Sequence, residues 1–270
     1  MVEFIPRTEI IKRLLEEVEN GRPLIIAGVS LGETAKAAEA GGADLLLFYN
    51  SGRFRMAGIG SLAGLMPYAN ANDITIKIAK EIAPAVKKTP LIGGVCATDP
   101  FKNIRKLLKM LKEIGVSGVI NYPTVCMIDG IFRENLEEQG FSFDVEVEML
   151  KTASKMEMLT TSYVFNVYEA RKLAEAGVDL AIIHVGYRKP PLTLEQAIEK
   201  IREITEVIKK VNDRTLIFCH GDPIVDAKTF KKVYSETEVV GFMGFTGIER
   251  APSIKAIQLV VREFKSVKRV

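Results

Sequence analysis

One pattern constrains this chain more than any other. A short apolar run followed by an amphipathic stretch recurs eight times. The runs are Leu24–Val29, Asp44–Tyr49, Leu91–Cys96, Gly118–Asn121, Met158–Tyr163, Leu180–Val185, Thr215–His220 and Val239–Gly244. They are apolar along their length rather than alternating, as parallel strands buried on both faces are. The stretches between them carry apolar residues at helical spacing. These predicted helices are Thr34–Ala40, Ile74–Val86, Phe101–Ile114, Phe143–Lys155, Val167–Ala176, Leu194–Val211, Ala227–Tyr234 and Ser253–Lys265. Asp99-Pro100 supplies an N-cap and a first-turn proline for the third, and Gly115 ends it. Eight such units predict an α/β fold, a (β/α)8 TIM barrel, with a doubly wound sheet as the alternative. Arg7–Asn20 reads as an extra N-terminal helix that closes the barrel bottom or docks a partner subunit, and Ile131–Glu138 as a small helix in the fourth connection. No Pro/Ser-rich linker or shift in composition divides residues 1–270, so a single barrel domain is expected.

The charge balance narrows the function. A net charge of +3 over 270 residues gives no reason to expect nucleic acid, which needs a clustered basic face. The basic tail Lys265–Arg269 reads as a solvated helix end. No apolar run approaches the roughly 20 residues that span a bilayer, and the N-terminus is charged too early for a signal peptide. Three cysteines, Cys96, Cys126 and Cys219, lack metal-type spacing, and Cys219 sits in an apolar run as a buried thiol. These features point to the cytoplasm. Scarce Gln beside plentiful Lys and Glu hints at a thermophilic source.

The segment Tyr49–Asp73 after the second run is long and Gly-rich, with no acid before Asp73. Loops of this length in compact domains usually have a function. Its charges are Arg53 and Arg55, suited to a carboxylate or phosphate, and Met56, Ile59, Leu62, Leu65 and Met66 suggest that it packs down. An ordered, anion-facing loop is expected rather than a floppy one.

Barrel active sites lie at the C-terminal strand ends. Those ends are small and polar here, and both histidines of the chain, His184 and His220, fall there on neighbouring strands. Histidine is the natural proton shuttle near neutral pH. His184, inside Ile-Ile-His-Val-Gly, reads equally as a core histidine; His220, followed by Gly-Asp-Pro, reads as functional. Gly221 and the turn Gly244, Thr246, Gly247 occupy the connections where barrels often bind phosphate. Asp99 is a candidate base, metal ligand or simple N-cap, and Thr98 and Asn121 are candidate hydrogen-bond donors in the pocket. Glu146, Glu148 and Glu249-Arg250 read as solvated caps or interface ion pairs. No Walker loop, zinc signature or nucleophile elbow is present, and no lysine lies inside a strand, which disfavours Schiff-base chemistry.

The motifs AGGADLLLFYNSGRFRMAGIGSLAGLMPYANAN, GVCATDPF, NYPTVCMIDGIFRENLEEQG, DVEVEML, LTTSYVF and CHGDPI resemble the phosphoenolpyruvate hydrolase-like TIM-barrel family from Leu24 to about Phe264. That family also supplies a domain of a plant tobamovirus-resistance protein. It is a distant relative of the phosphoenolpyruvate mutase/isocitrate lyase superfamily. The resemblance implies a lyase or hydrolase acting on a small anionic phosphorylated or α-keto carboxylate. That superfamily uses Mg²⁺, held by acids at the ends of strands three and four. Here those positions read Cys96-Ala97-Thr98-Asp99 and Asn121-Tyr122-Pro123, so Mg²⁺ is a possible cofactor without an assigned metal ligand. The family pattern His-Gly-Gly-Pro reads His220-Gly221-Asp222-Pro223 here. In the implied site Arg53 and Arg55 clamp the anion, and Asn50, Ser51 and Thr98 orient it. His220 is the acid/base, assisted by His184 or Asp99, and Gly221 and Gly247 bind the oxyanion. The alternative is a non-catalytic ligand-sensing or protein-interaction module. A homo-oligomer is expected under either reading.

Overall fold

A computed structural model describes residues 2–187 and 189–267. In chain order the helices and strands are α1 (Arg7–Glu19), β1 (Leu24–Gly28), α2 (Gly32–Ala40), β2 (Leu45–Phe48), α3 (Ser51–Met56), α4 (Ala71–Ile82), β3 (Leu91–Val95), α5 (Ile104–Ile114), β4 (Val116–Asn121), α6 (Gly130–Glu138), α7 (Phe143–Lys155), β5 (Leu159–Val164), α8 (Val167–Glu175), β6 (Leu180–His184), α9 (Leu194–Val211), β7 (Leu216–His220), α10 (Ala227–Glu236), β8 (Gly241–Gly244) and α11 (Ala251–Ser266). The eight strands form a closed, all-parallel barrel in sequence order, sealed where Leu24–Ala27 of β1 pair with Gly241–Gly244 of β8. Closure excludes the doubly wound sheet.

Alternate strand residues point inward and outward, which divides the core in two. The barrel interior holds Leu24, Ile26, Leu47, Ile92, Ile120, Leu159, Ile182 and Phe218, joined by Ile10 and Leu14 of α1. Those two contacts carry α1 across the barrel bottom, where Arg7 Nε also donates to Asp179 at 2.8 and 2.9 Å. The outward-facing set, including Leu46, Phe48, Val95, Val119 and Ile183, packs under the helices.

Two local features depart from the sequence reading. α5 starts at Ile104, with the Asn103 side chain accepting from the Lys106 amide at 3.0 Å, so Asp99-Pro100 does not open it. The Asp99 carboxylate is engaged elsewhere, and Phe101 stands in solvent. The segment after β2, expected as an ordered loop, is ordered but helical: it folds into α3 and a 3-10 turn at Ser61–Leu65. Asn50 Nδ2 donates to Gly64 O at 2.7 Å and Ser51 Oγ to Ser61 O at 2.8 Å, which ties the two turns together. Gly64 is required there, because a Cβ would fall 2.0 Å from Ser51 Oγ.

The last helix is unusual. α11 has no buried residue and exposes Ile254, Ile257, Leu259, Val260, Val261 and Phe264. Among the described strand residues, all are buried except His220 at the mouth and two others, Ile25 and Phe242. Those two are register partners on β1 and β8, where a final barrel helix would pack. The sequence-level tail continues to Lys268 and Arg269, which lie outside the described residues. Among the described residues no helix is long and apolar enough to cross a membrane.

Candidate active site

The barrel mouth has a filled half and an open half. Tyr49, Tyr122 and Tyr163, one residue past or within the ends of β2, β4 and β5, alternate inward with the interior set. Tyr49 and Tyr122 stack with centroids 3.8 Å apart. Tyr49 and Tyr163 share a hydroxyl hydrogen bond of 3.1 Å, and Tyr122 and Ser51 one of 2.7 Å. Burial holds all three phenols above their ordinary range, Tyr122 at about 12. They are therefore neutral and fill the mouth between β2 and β5.

A cavity of about 470 Å³ remains over the ends of β6, β7 and β8, a typical size for a small ligand. His184 and His220 are register partners on its wall, their rings 4.7 Å apart at 90°. The backbone sets a different tautomer in each. His220 Nδ1 lies 2.8 Å from Met243 O, so it carries the proton and leaves Nε2 a lone pair. His184 Nδ1 accepts from the Gly186 amide at 3.1 Å, so its proton sits on Nε2. Burial pushes His220 down to about 4, with the Arg55 charge adding to the effect. Burial likewise pushes His184 well below its usual value, and the neighbouring His220 adds to it. At neutral pH the pair is one base beside one N–H donor.

Both shifts carry a stability consequence. The folded histidines titrate below the unfolded value of about 6.5, so the stability they contribute is present above that pH. It is lost as pH falls through the folded values. Stability is therefore expected to drop between about pH 6.5 and 4. The His220 contribution is about 1–2 kcal/mol, less than the full shift because the ring is partly exposed. Chemical denaturation across that range checks it: a His220→Asn variant should show a shallower acid loss, and an unchanged slope would refute the buried-neutral assignment.

Arg55 is the other singular group. It is only 2% exposed and lines the same cavity. Its guanidinium lies 3.9 Å from the Phe245 ring centroid, while Nε and Nη2 have no hydrogen-bond partner. Arg53 does not join it. Residues two apart on a helix project about 200° apart, so α3 sends Arg53 to the surface, where it pairs with Glu81 at 3.0 Å. The expected two-arginine clamp is thus a single buried arginine.

The remaining candidates divide by side of the barrel. Gly221, Gly244, Thr246 and Gly247 line the cavity. Gly221 has a φ of 97°, and a Cβ there would meet Gly186 N at 2.8 Å. Asn50 and Ser51 instead brace the segment after β2, with Asn50 Oδ1 buried and unpartnered. Thr98 sits beside Cys96, its hydroxyl 3.7 Å from Sγ. Asp99 accepts from Asn70 at 2.6 Å, Asn72 at 3.0 Å and the Phe101 amide at 2.9 Å, and it does not line the cavity. Burial opposes its charge, but those donors outweigh it and hold the carboxyl below its ordinary value. Asn121 faces outward, donating to Glu146 at 2.7 Å and accepting from Ser162 at 2.8 Å.

Two glutamates read as solvated are buried. Glu146 takes hydrogen bonds from Asn121, Thr124 and the Val125 amide, and burial pushes it up to about 7. Glu249 accepts from Ser30 Oγ at 2.7 Å and Thr34 Oγ1 at 2.6 Å, tying the turn after β8 to α2. Each replaces water by several protein donors, as buried carboxylates must. Glu148 does reach solvent and pairs with Lys151. All three cysteines are free, and burial pushes each thiol up, Cys219 to about 12, so none is poised as a nucleophile.

Magnesium does not fit the positions expected for it. A hard cation takes about six oxygen ligands. Here Asp99 is committed to amide donors and Asn121 points away toward Glu146. Among the described residues no group of three or more His, Cys, Asp or Glu could hold a metal.

A profile described as phosphoenolpyruvate hydrolase-like matches residues 9–267. The tomato (Solanum lycopersicum) ToMV susceptible protein tm-1(GCR26) is 43% identical over 97% of this chain and 36% of its own length. The tomato ToMV resistance protein Tm-1(GCR237) is 42% identical over the same shares, 97% and 36%. The chain thus spans about a third of the length of these curated relatives. A phosphonopyruvate hydrolase solved with oxalate and Mg²⁺ superposes with a TM-score of 0.61 at 14% identity, covering 98% of this chain and 90% of that one. At that identity the likeness concerns the fold.

Proposed function

The chain belongs to the phosphoenolpyruvate hydrolase-like family, and from that premise we propose that its barrel mouth binds a small anionic metabolite and cleaves it as a hydrolase or lyase. The ligand is an α-keto or phosphorylated carboxylate. One observation carries this reading: Arg55 is buried on the cavity wall with two unpartnered nitrogens. A buried charge is costly without a partner, and a guanidinium fork matches a carboxylate or phosphate. The oxalate bound by the phosphonopyruvate hydrolase of the same fold is an anion of this kind.

The chemistry follows from the tautomers. Arg55 holds the anionic group. In hydrolysis His220 Nε2 takes a proton from the attacking water as its oxygen bonds to the reacting carbon or phosphorus and the bond to the leaving group breaks, and the histidinium returns that proton to the leaving group. His184 Nε2–H and the backbone N–H groups of Gly221 and Gly247 supply donors for the oxygen that gains charge. The tyrosines and Phe245 limit water on the other side of the mouth. No step is assigned to magnesium.

A panel of phosphoenolpyruvate, phosphonopyruvate, pyruvate, oxaloacetate and oxalate, each with and without Mg²⁺, tests this. At about a hundred times its dissociation constant a ligand adds roughly 2.7 kcal/mol and raises the thermal midpoint by several degrees. With the hit as substrate, His220→Ala is expected to cut turnover by at least about 100-fold while binding persists. Undiminished turnover would remove His220 from the chemistry.

A second reading, a ligand-sensing or interaction module, has its own support. Half the mouth is packed with tyrosines, and Tyr68, Phe101, Ile131 and Phe132 stand exposed on the connections after β2, β3 and β4. Absence of any anion-induced shift would favour it. Under either reading a homo-oligomer is proposed, from the unseated helix α11.

A further inference from the structure

A second and larger cavity, about 920 Å³, adjoins the first. It lies among the connections after β4, β5 and β6 and the side of α9, and the two cavities share Gly186 and Tyr187. Their common wall is a stack of three rings. His184 lies between Phe165, 4.9 Å away at 20°, and Tyr187, 5.0 Å away at 25°. Phe165 faces the larger cavity, and His184 the smaller. Tyr187 holds a φ of 60°, a conformation that a bulky side chain rarely adopts and that is retained where surrounding structure over-determines it. Yet its ring is exposed.

The linings of the two cavities differ in chemistry. The smaller one has Arg55, Arg250 and the histidine pair, against the single described acid Asp222. The larger one has Met127, Ile128, Leu192 and Ile204 as apolar surface, with Asp129, Glu199 and Glu203 outnumbering Lys200 among the described charged residues. An anionic head suits the first cavity, and a second anionic group is disfavoured in the other.

We propose that the two cavities form one bipartite site for a carboxylate with a long uncharged arm, the head on Arg55 and the arm running past Tyr187 into the larger cavity. This rests on the anion-binding reading of the smaller cavity and adds to it a substrate class: medium-chain 2-oxo monoacids rather than short diacids. Tyr187 is then a specificity-determining residue, bordering both halves.

Calorimetric titration of the full chain with pyruvate, 2-oxobutanoate, 2-oxohexanoate and 2-oxooctanoate tests it, with 2-oxoadipate as the distal diacid. Affinity is expected to rise about three- to fourfold per methylene, the transfer value for a buried CH₂. 2-Oxoadipate is expected to bind at least tenfold more weakly than 2-oxohexanoate. Leu192→Trp and Glu199→Trp, on a loop and a helix surface that border the larger cavity, should flatten the length dependence and leave pyruvate binding unchanged. A flat length series, or equal binding of the diacid, with pyruvate still lost in Arg55→Met, overturns the bipartite site and keeps the anion site. Failure of every acid to bind the wild type removes both.

Discussion

Replacing Arg55 by Met is expected to stabilise the ligand-free protein while abolishing its stabilisation by anions. These two effects have one cause. Arg55 is 2% exposed, packed between the Phe245 and Tyr49 rings, and leaves Nε and Nη2 unpaired. The contact with the Phe245 face returns part of the desolvation cost, and a side chain of similar volume without charge avoids the rest. Hydrophobic replacement of buried charges gains about 1–4 kcal/mol in favourable cases. For a chain of this length 1 kcal/mol corresponds to roughly 2–4 °C. The thermal midpoint of the Met variant should therefore rise by several degrees, while the shift caused by pyruvate or oxalate falls to zero. Arg53→Met is the control. Its pair with Glu81 is solvent-exposed and worth about 0–1 kcal/mol, and it lies off the cavity. A destabilised Arg55→Met protein that still responds to anions would show that the guanidinium serves packing alone.

The contrast between these two arginines also marks the limit of sequence reading here. The eight strands were legible because burial on both faces leaves continuous apolar runs, and the glycine turns after β7 and β8 were legible because each position needs a close backbone approach. Both histidines could be placed at the mouth by the same logic. Arg53 and Arg55 could not be separated, because the spacing i, i+2 puts side chains together on neither a loop nor a helix in a way the sequence reveals; only once the segment is known to be α3 do they diverge. Glu146 and Glu249 failed for a different reason. A carboxylate near a helix start looks solvated until its donors, which lie 21 to 25 residues away for Glu146 and 215 to 219 residues away for Glu249, are brought to it. The tyrosine-filled half of the mouth depends on which face of each strand end points inward, and that register emerges only on closing the barrel.

Leu259→Asp combined with Val260→Asp is expected to convert a dimer into a monomer, with the barrel intact. α11 is 16 residues long, about 24 Å, and none of its residues is buried. A helix that is apolar on several faces is stable in water only when something covers it. The matching vacancy is on the same molecule: Ile25 and Phe242, paired across β1 and β8, are the outward strand positions left partly open. Every copy thus carries one unseated helix and one unfilled seat, so two copies can satisfy each other by exchanging α11 across a two-fold axis. Such an exchange is a low-cost route to a dimer because the contacts already suit the chain. Light scattering across a concentration series should give twice the chain mass for the wild type and one chain mass for the double Asp variant. Ile25→Glu, at the seat rather than on the helix and off the cavity, should have the same effect. Mixing the helix variant with the seat variant gives a further check: a heterodimer joining one intact α11 to one intact seat restores half of the contacts and should form more readily than either homodimer. A wild type that stays monomeric at high concentration would mean that α11 folds back on its own barrel in solution, and the exposed register pair would then be its seat in cis.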